Sequence, residues 1–253
     1  MYNPFSLEGK TIVVTGASSG IGRQCAIDCS RMGAKVALVA RNRERLEETL
    51  SEMGSGHEHR IYQCDLSVTE GIKSLVADVV GDCGKIDGFV HAAGVEKTAP
   101  AKSLSPAAYR NIYEVNTLSA FEFVRQFSSR KNFSDGGHIV LISSITSIVG
   151  RIGVSAYAAS KGALVSAVRS MALELAPKRI CINCVSPGTV LTPMMHDFLS
   201  SLSEEQYEKR TEGFPLGLGD VSDVSNTCIF LLSDASRWVT GQNIIVDGGY
   251  SAQ

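Results

Sequence analysis

Apolar residues follow two alternating rhythms along the chain. Short, nearly continuous runs rich in Val and Ile recur at Thr11 to Val14, Val36 to Ala40, Ile61 to Cys64, Gly88 to Val90, His138 to Ile142, Ile180 to Val185 and Asn243 to Val246, and each reads as a strand. Between them the apolar spacing lengthens to three and four, as in Leu46, Leu50 and Met53 or Val68, Ile72, Leu75 and Val79, which gives a helix one apolar stripe. Strands without polar alternation need cover on both faces. The pattern therefore predicts an α/β chain built on a doubly wound, parallel, seven-stranded sheet of Rossmann type with right-handed crossovers.

The 253 residues, 44% hydrophobic and 20% charged, suit a single domain over 1–253. One connection is long: 193–219 carries Met194, Met195, Phe198, Leu199, Leu202, Tyr207, Phe214 and Leu216 among charges. It leaves the carboxyl end of a strand, where open sheets bind ligands, so it reads as a substrate lid. An amphipathic insertion packed on the body or on a neighbour is the other reading. A net charge of -2 offers no basic surface to a nucleic acid. No run reaches the roughly 18 apolar residues that cross a bilayer, and residues 1–10 lack the charged head and apolar stretch of a signal peptide; a cytoplasmic protein is expected. The seven cysteines are scattered and odd in number, which suggests reduced thiols packed as small hydrophobes. Cys181 and Cys184 lie three apart in a strand and so face opposite sides; no metal site is expected.

Directly after the first strand comes Thr15-Gly16-Ala17-Ser18-Ser19-Gly20-Ile21-Gly22, then a helical pattern. Missing side chains let a diphosphate approach backbone N–H groups at a helix N-terminus. Such turns are often purely structural, so position carries the weight here. The second strand ends in Ala40-Arg41-Asn42, without a carboxylate for a ribose hydroxyl. Arg41 offers a fork of donors to a 2′-phosphate, which points to NADP(H) over NAD(H); a solvated arginine at a helix start is the plainer alternative.

Tyr157, Lys161, Leu164, Val168, Met171 and Leu175 are spaced to share one stripe of a helix starting near Ala156. A lysine on an inner face is unusual unless its charge is used, although it could also snorkel past the sheet edge. Beside a cation, the Tyr157 hydroxyl is expected to ionise below the ordinary tyrosine value of about 10. Ser144 ends the fifth strand thirteen positions earlier, at the same edge of the sheet.

Taken together, Ser144, Tyr157-x-x-x-Lys161, the Gly16/Gly20/Gly22 turn, Asp65-Leu66, His91-Ala92-Ala93-Gly94, Val115-Asn116, Ser186-Pro187-Gly188 and Val246-Asp247-Gly248-Gly249 resemble the short-chain dehydrogenase/reductase family over essentially the whole chain. The resemblance implies a catalytic tetrad of Asn116, Ser144, Tyr157 and Lys161. Tyr157 would exchange a proton with the substrate oxygen, Ser144 would bind that oxygen, Lys161 would lower the phenol pKa and hold the nicotinamide ribose, and Asn116 would anchor a water in the proton relay. It also implies an NADP(H) site made of Gly16, Ser18, Ser19, Gly20, Ile21, Gly22 and Arg41, with Asp65 and Leu66 at the adenine, Ala92 to Gly94 at the ribose, and Pro187, Gly188, Val190 and Thr192 at the carboxamide. Two departures stand out: the family's Asn-Ala-Ala-Gly turn begins here with His91, and Ser19 stands where many NADPH-using relatives carry a basic residue.

In length, short lid and the ending Thr240 to Gly249, the chain is most similar to the 3-oxoacyl-acyl-carrier-protein reductases, which implies reduction of a ketone, an acyl thioester or one held on acyl carrier protein. Steroid, sugar and polyol dehydrogenases share these motifs, and a cofactor-binding sensor without turnover is the remaining alternative. Carrier binding needs a basic patch at the pocket mouth, for which Lys178 and Arg179 are candidates. Relatives are mostly homotetramers; Ile112, Phe121, Val124 and Phe127 in the helical stretch Tyr109 to Phe127 exceed what one sheet face obviously requires, so self-association is expected.

Overall fold

The computed structural model describes residues 2–54, 56, 58–192, 195, 199–200 and 202–252. Every predicted run forms a strand: β1 Thr11–Thr15, β2 Lys35–Ala40, β3 Arg60–Gln63, β4 Ile86–His91, β5 Phe133–Ile142 and β6 Cys181–Pro187, then β7 Val190–Leu191, β8 Gly219–Asp220 and β9 Asn243–Val246. Seven of them form one parallel sheet in the order β3-β2-β1-β4-β5-β6-β9, and β7 pairs with β8 in a small ribbon. The order in which the chain adds strands reverses between β1 and β4, which opens a crevice at their carboxyl ends. That edge carries Thr15, His91 and Ser144.

Helices α1 Gly20–Arg31, α2 Arg43–Ser51, α3 Ile72–Cys83, α4 Pro106–Tyr113, α5 Ser119–Phe127, α6 Ser155–Leu175, α7 Glu204–Thr211 and α8 Val221–Leu232 complete the fold. Side-chain alternation along the strands divides the core in two. Ile12, Val14, Val36 and Leu38 pack with Cys25, Cys29, Cys228 and Leu232 from α1 and α8, whereas Val13, Ala37, Phe89 and Leu141 pack with Leu75, Phe123, Phe127, Leu164 and Val168 from α3, α5 and α6. Apolar cover on both faces is what makes unbroken Val/Ile strands stable.

The stretch expected to be one helix from Tyr109 to Phe127 is instead α4 and α5 joined by a π turn, Glu114–Leu118. Ile112, Val124 and Phe127 are buried within the chain itself and Phe121 is half-buried. Phe127 alone stacks on Phe89 and Phe133 at centroid distances of 5.0 and 4.8 Å. The supposed apolar surplus is therefore consumed by the second core layer. The outward apolar groups in this region are Leu118 and Leu173.

Pro193, Met194 and Phe198 of the expected lid lie outside the described residues. Of the remainder, Leu199 and Phe214 are buried while Tyr207 and Leu216 are exposed. Phe214 stacks on Tyr250 at 4.7 Å, which ties the end of this excursion to the chain's last turn.

Candidate active site

Three segments converge at the carboxyl edge of the sheet. The first is the turn between β1 and α1. Gly16 has φ +69°, a backbone conformation that side chains resist, and a Cβ there would sit 2.8 Å from the Ala93 nitrogen. A Cβ on buried Gly22 would run into the Gly16 carbonyl, and one on Gly20 would lie 3.1 Å from Thr192 Cγ2. Helix α1 starts at Ser19 without a side-chain cap and without an acidic residue in its first turn. Its first N–H groups and positive dipole end are thus left for an anion. Ser18 is half-buried and Ser19 exposed beside this turn, with Ile21 half-buried behind it. The bare glycine cradle and uncapped helix fit the diphosphate of a dinucleotide.

The other expected binding residues follow the later strands of the sheet. Arg41 is exposed just past β2, and its charge helps Ser67 hold the Asp65 carboxyl below the ordinary range, with the hydrogen bonds from the Ser67 backbone N–H and hydroxyl as the leading causes. Leu66 is buried next to it. Across the crevice, Pro187 and Val190 are buried, and Gly188 lies so close to Asp247 that a Cβ would be 2.9 Å from its Cα. Thr192 accepts from the Met195 N–H at 3.3 Å. Of the predicted cofactor residues, Thr192 lies against Gly20 and Ala92 against Gly16, so both border the glycine turn.

The second segment presents Asn116 from the π turn. Its Oδ1 accepts from the Val95 N–H at 2.8 Å, while Nδ2 donates to the Val95 carbonyl and to Ser160 Oγ, both at 3.0 Å. Ser160 donates in turn to the Tyr157 carbonyl at 2.7 Å. A π turn places one extra residue in the helix, and such turns recur at functional sites. Here it aims a fully buried amide at the loop after β4.

The third segment is α6 with the end of β5. Lys161 is buried, donates to the Ile142 carbonyl at 2.7 Å, and has its Nζ 5.8 Å from the Tyr157 ring centroid. Ser143 donates to the Lys161 carbonyl at 2.9 Å. Ser144 Oγ accepts from the Thr146 N–H at 3.2 Å and from the Thr146 hydroxyl at 3.0 Å. A Cβ on Gly94 would come within 3.3 Å of Lys161 Nζ and 3.4 Å of Asn116 Oδ1. The four expected catalytic residues are accordingly brought together at one end of the crevice.

The electrostatics differ from the sequence expectation. Tyr157 is pushed up to about 12, first by burial and then by the Glu96 carboxylate, against smaller opposing effects of Ser144 and Arg151. Lys161 is pulled down to about 8 by burial. Its ammonium is directed to the Ile142 carbonyl, and burial disfavours the charged form of each group. The phenol therefore remains fully protonated at neutral pH, the state of an acid.

Lys178 and Arg179 fall at the far end of α6. With 21 residues separating Tyr157 from Lys178 and a rise of about 1.5 Å per residue, they lie about 30 Å from the phenol. Lys178 donates to the Ser128 carbonyl. They form no part of the pocket mouth. Instead, two residues that sequence reasoning passed over stand there: Glu96 and Arg151, paired at 3.8 Å on the loops after β4 and before α6. Those loops are joined by an Ala99 N–H to Gly153 carbonyl bond of 2.8 Å. Only the tertiary pairing of two loops 55 positions apart reveals them; both loops are charged and Gly-containing, like many surface connections.

A family model described as enoyl-(acyl carrier protein) reductase matches residues 16–251. The chain is 31% identical over 245 residues to 7α-hydroxysteroid dehydrogenase of Escherichia coli K12, covering 96% of this chain and 94% of that protein. It is 30% identical over 243 residues to 3-oxoacyl-[acyl-carrier-protein] reductase of Staphylococcus aureus, with 95% and 97% covered. A solved structure from Beutenbergia cavernae, assigned as an NAD(P)-dependent gluconate 5-dehydrogenase and holding NADP at low occupancy, superposes with a TM-score of 0.88 at 33% identity, covering 99% of this chain and 100% of that one.

Proposed function

Because the chain belongs to the short-chain dehydrogenase/reductase family of oxidoreductases, we propose that it interconverts a ketone and a secondary alcohol with NADP(H), using Tyr157 as the proton donor for reduction. The observation that carries this reading is a buried Lys161 whose Nζ lies 5.8 Å from the Tyr157 ring, with buried Ser144 at the end of the neighbouring strand. The bound cofactor supplies the hydride. Ser144 holds the substrate oxygen beside the phenol, Tyr157 gives it a proton as charge develops, and the Lys161 ammonium favours the phenolate left behind. Asn116 fixes the loop after β4 against α6 and so keeps Gly94 beside Lys161. Replacing Tyr157 with Phe is expected to abolish reduction and leave NADPH binding nearly intact; unchanged turnover would reject the assignment.

For the substrate, a 3-oxoacyl thioester is favoured by the apolar excursion 193–219 and by the likeness to the carrier-protein reductase. In this reading the excursion acts as a lid, and a carrier protein would meet Arg151 and the exposed Lys97 and Lys102 on the segment after β4. A second reading, a hydroxyl-bearing substrate such as a sugar acid, is favoured by the Glu96–Arg151 pair, since a carboxylate and a guanidinium suit vicinal hydroxyls and an anionic end. NADPH oxidation measured with acetoacetyl thioesters, keto-sugar acids and steroid ketones separates the two. We further propose a homotetramer, for which exposed Leu118 and Leu173 offer apolar contact area; a monomer by light scattering would contradict it.

A further inference from the structure

His91 stands at the head of the turn after β4, and the structure shows what the imidazole does there. The ring is fully buried, pairs in register with Thr15 across β1 and β4, and packs on Phe89 and Phe123 at centroid distances of 5.9 and 6.4 Å. Its two nitrogens reach two different elements. Nδ1 lies 3.0 Å from Thr15 Oγ1, at the start of the glycine turn, and Nε2 lies 3.3 Å from Ser119 Oγ, at the start of α5.

The partners decide where the protons are. Ser119 donates its one hydroxyl proton to the Val115 carbonyl at 2.7 Å, so toward the ring it can only accept, and Nε2 must carry a hydrogen. Thr15 Oγ1 already accepts from the Ala93 N–H at 3.3 Å, which leaves its proton for Nδ1. A continuous chain of hydrogen bonds results, running from Ala93 through Thr15, His91 and Ser119 to Val115. One end is the turn that touches Gly16; the other is the π turn that presents Asn116. A neutral imidazole in this single tautomer satisfies every donor and acceptor in the chain.

We propose that His91 is a positioning residue that locks the NADP-binding crevice to the π turn of Asn116, so that the glycine turn, the Ala92 to Gly94 turn and the tetrad hold one relative arrangement. This rests on the crevice being the NADP(H) site. The bond that matters for the cofactor is the one from Thr15 to Nδ1, because Thr15 also holds Ala93, whose nitrogen lies against Gly16.

The test is a titration of the purified chain with NADPH, followed by nicotinamide fluorescence, together with melting of the cofactor-free protein. His91→Phe keeps a buried ring but neither nitrogen, and is expected to weaken NADPH binding about tenfold. His91→Asn puts an amide carbonyl near the place of Nδ1 and is expected to restore affinity to within about threefold of the parent. A residue that merely fills space would change the melting temperature and leave the affinity of the folded protein alone. Should His91→Phe fail to fold, Thr15→Val removes this bond together with the one from the Ala93 N–H, with little change in shape, and is expected to weaken binding at least as much. Parent-like affinity in His91→Phe, or in Thr15→Val, would overturn the proposal, as would His91→Asn binding as weakly as His91→Phe. A parent that binds no NADPH would overturn the cofactor reading and this inference with it, a result distinct from parent-like binding by the variants.

Discussion

Asn116 grips Val95 with both ends of its amide, accepting from the Val95 N–H at 2.8 Å and donating to the Val95 carbonyl at 3.0 Å. The amide is completely buried, and Val95 is half-buried, so its two backbone groups depend largely on this amide. Asn116→Ala would leave both backbone groups unpaired, each at a cost of about 1–3 kcal/mol. Asn116→Asp keeps the acceptor and sets a carboxylate oxygen against the Val95 carbonyl. Urea unfolding is expected to show a loss of about 2 kcal/mol or more in either variant, with ketone reduction falling further than NADPH binding. A variant of parent stability would mean that the clamp contributes nothing.

Most of the architecture was legible because each layer repeats one signal. Val36, Leu38 and Ala40 face one core while Ala37 and Val39 face the other, and a run apolar on both faces can only be a central strand. The Tyr157/Lys161 spacing was readable for the same reason, since a helix period converts directly into a shared face. The π turn at Glu114–Leu118 has no such signature: one extra residue in a helix leaves the composition unchanged, and its consequence, the aim of Asn116, appears only in three dimensions. The phenol's raised pKa was misread because a nearby lysine was weighed and burial was not. Desolvation depends on what covers a group, and that cover comes from segments far apart in the chain.

The same balance sets a pH dependence for catalysis. Reduction needs the protonated phenol, which a value of about 12 guarantees at neutral pH, and the Lys161 ammonium, which is lost above about 8. The reduction rate is therefore expected to be level up to about pH 8 and to decline beyond it. Oxidation of the alcohol needs the phenolate instead. Glu96 raises the phenol and Arg151 lowers it. Glu96→Gln should ease ionisation and raise the oxidation rate about threefold at pH 9, and Arg151→Gln should do the reverse. Initial rates with NADP+ between pH 7 and 11 check both; shifts of the same sign in the two variants would contradict the arrangement.

Cofactor choice is expected to rest on Arg41, since no carboxylate stands at the end of β2 and Ser19 carries no charge. A charge-assisted bond to a 2′-phosphate is worth about 1.5–3 kcal/mol. Arg41→Ala should raise the KM for NADPH about tenfold or more and leave that for NADH within about twofold, while Arg41→Asp should reverse the preference. Equal effects on both cofactors would place Arg41 outside the phosphate site.

Stability in mild acid should be governed by two buried histidines. Burial is the main cause that depresses His91 to about 3 and His138 to about 4, from an ordinary value of 6.5. His138 is held beneath Ser236, whose hydroxyl lies 3.5 Å from Nδ1. Between pH 6.5 and 4 the unfolded chain binds these two protons and the folded chain largely does not, so stability rises with pH across that window and is lost as pH falls. Each group contributes a slope of about 1.4 kcal/mol per pH unit where it is fully protonated only when unfolded. The depressed carboxylates Asp65, Asp220 and Asp234 add their own loss mainly below this range, as pH falls through their native values. Urea midpoints at pH 6.5, 5.5 and 4.5 should therefore fall steadily, and His91→Asn, with no titrating group at that position, should show roughly half the parent's slope. An unchanged slope in that variant would mean that the His91 ring takes up its proton without unfolding.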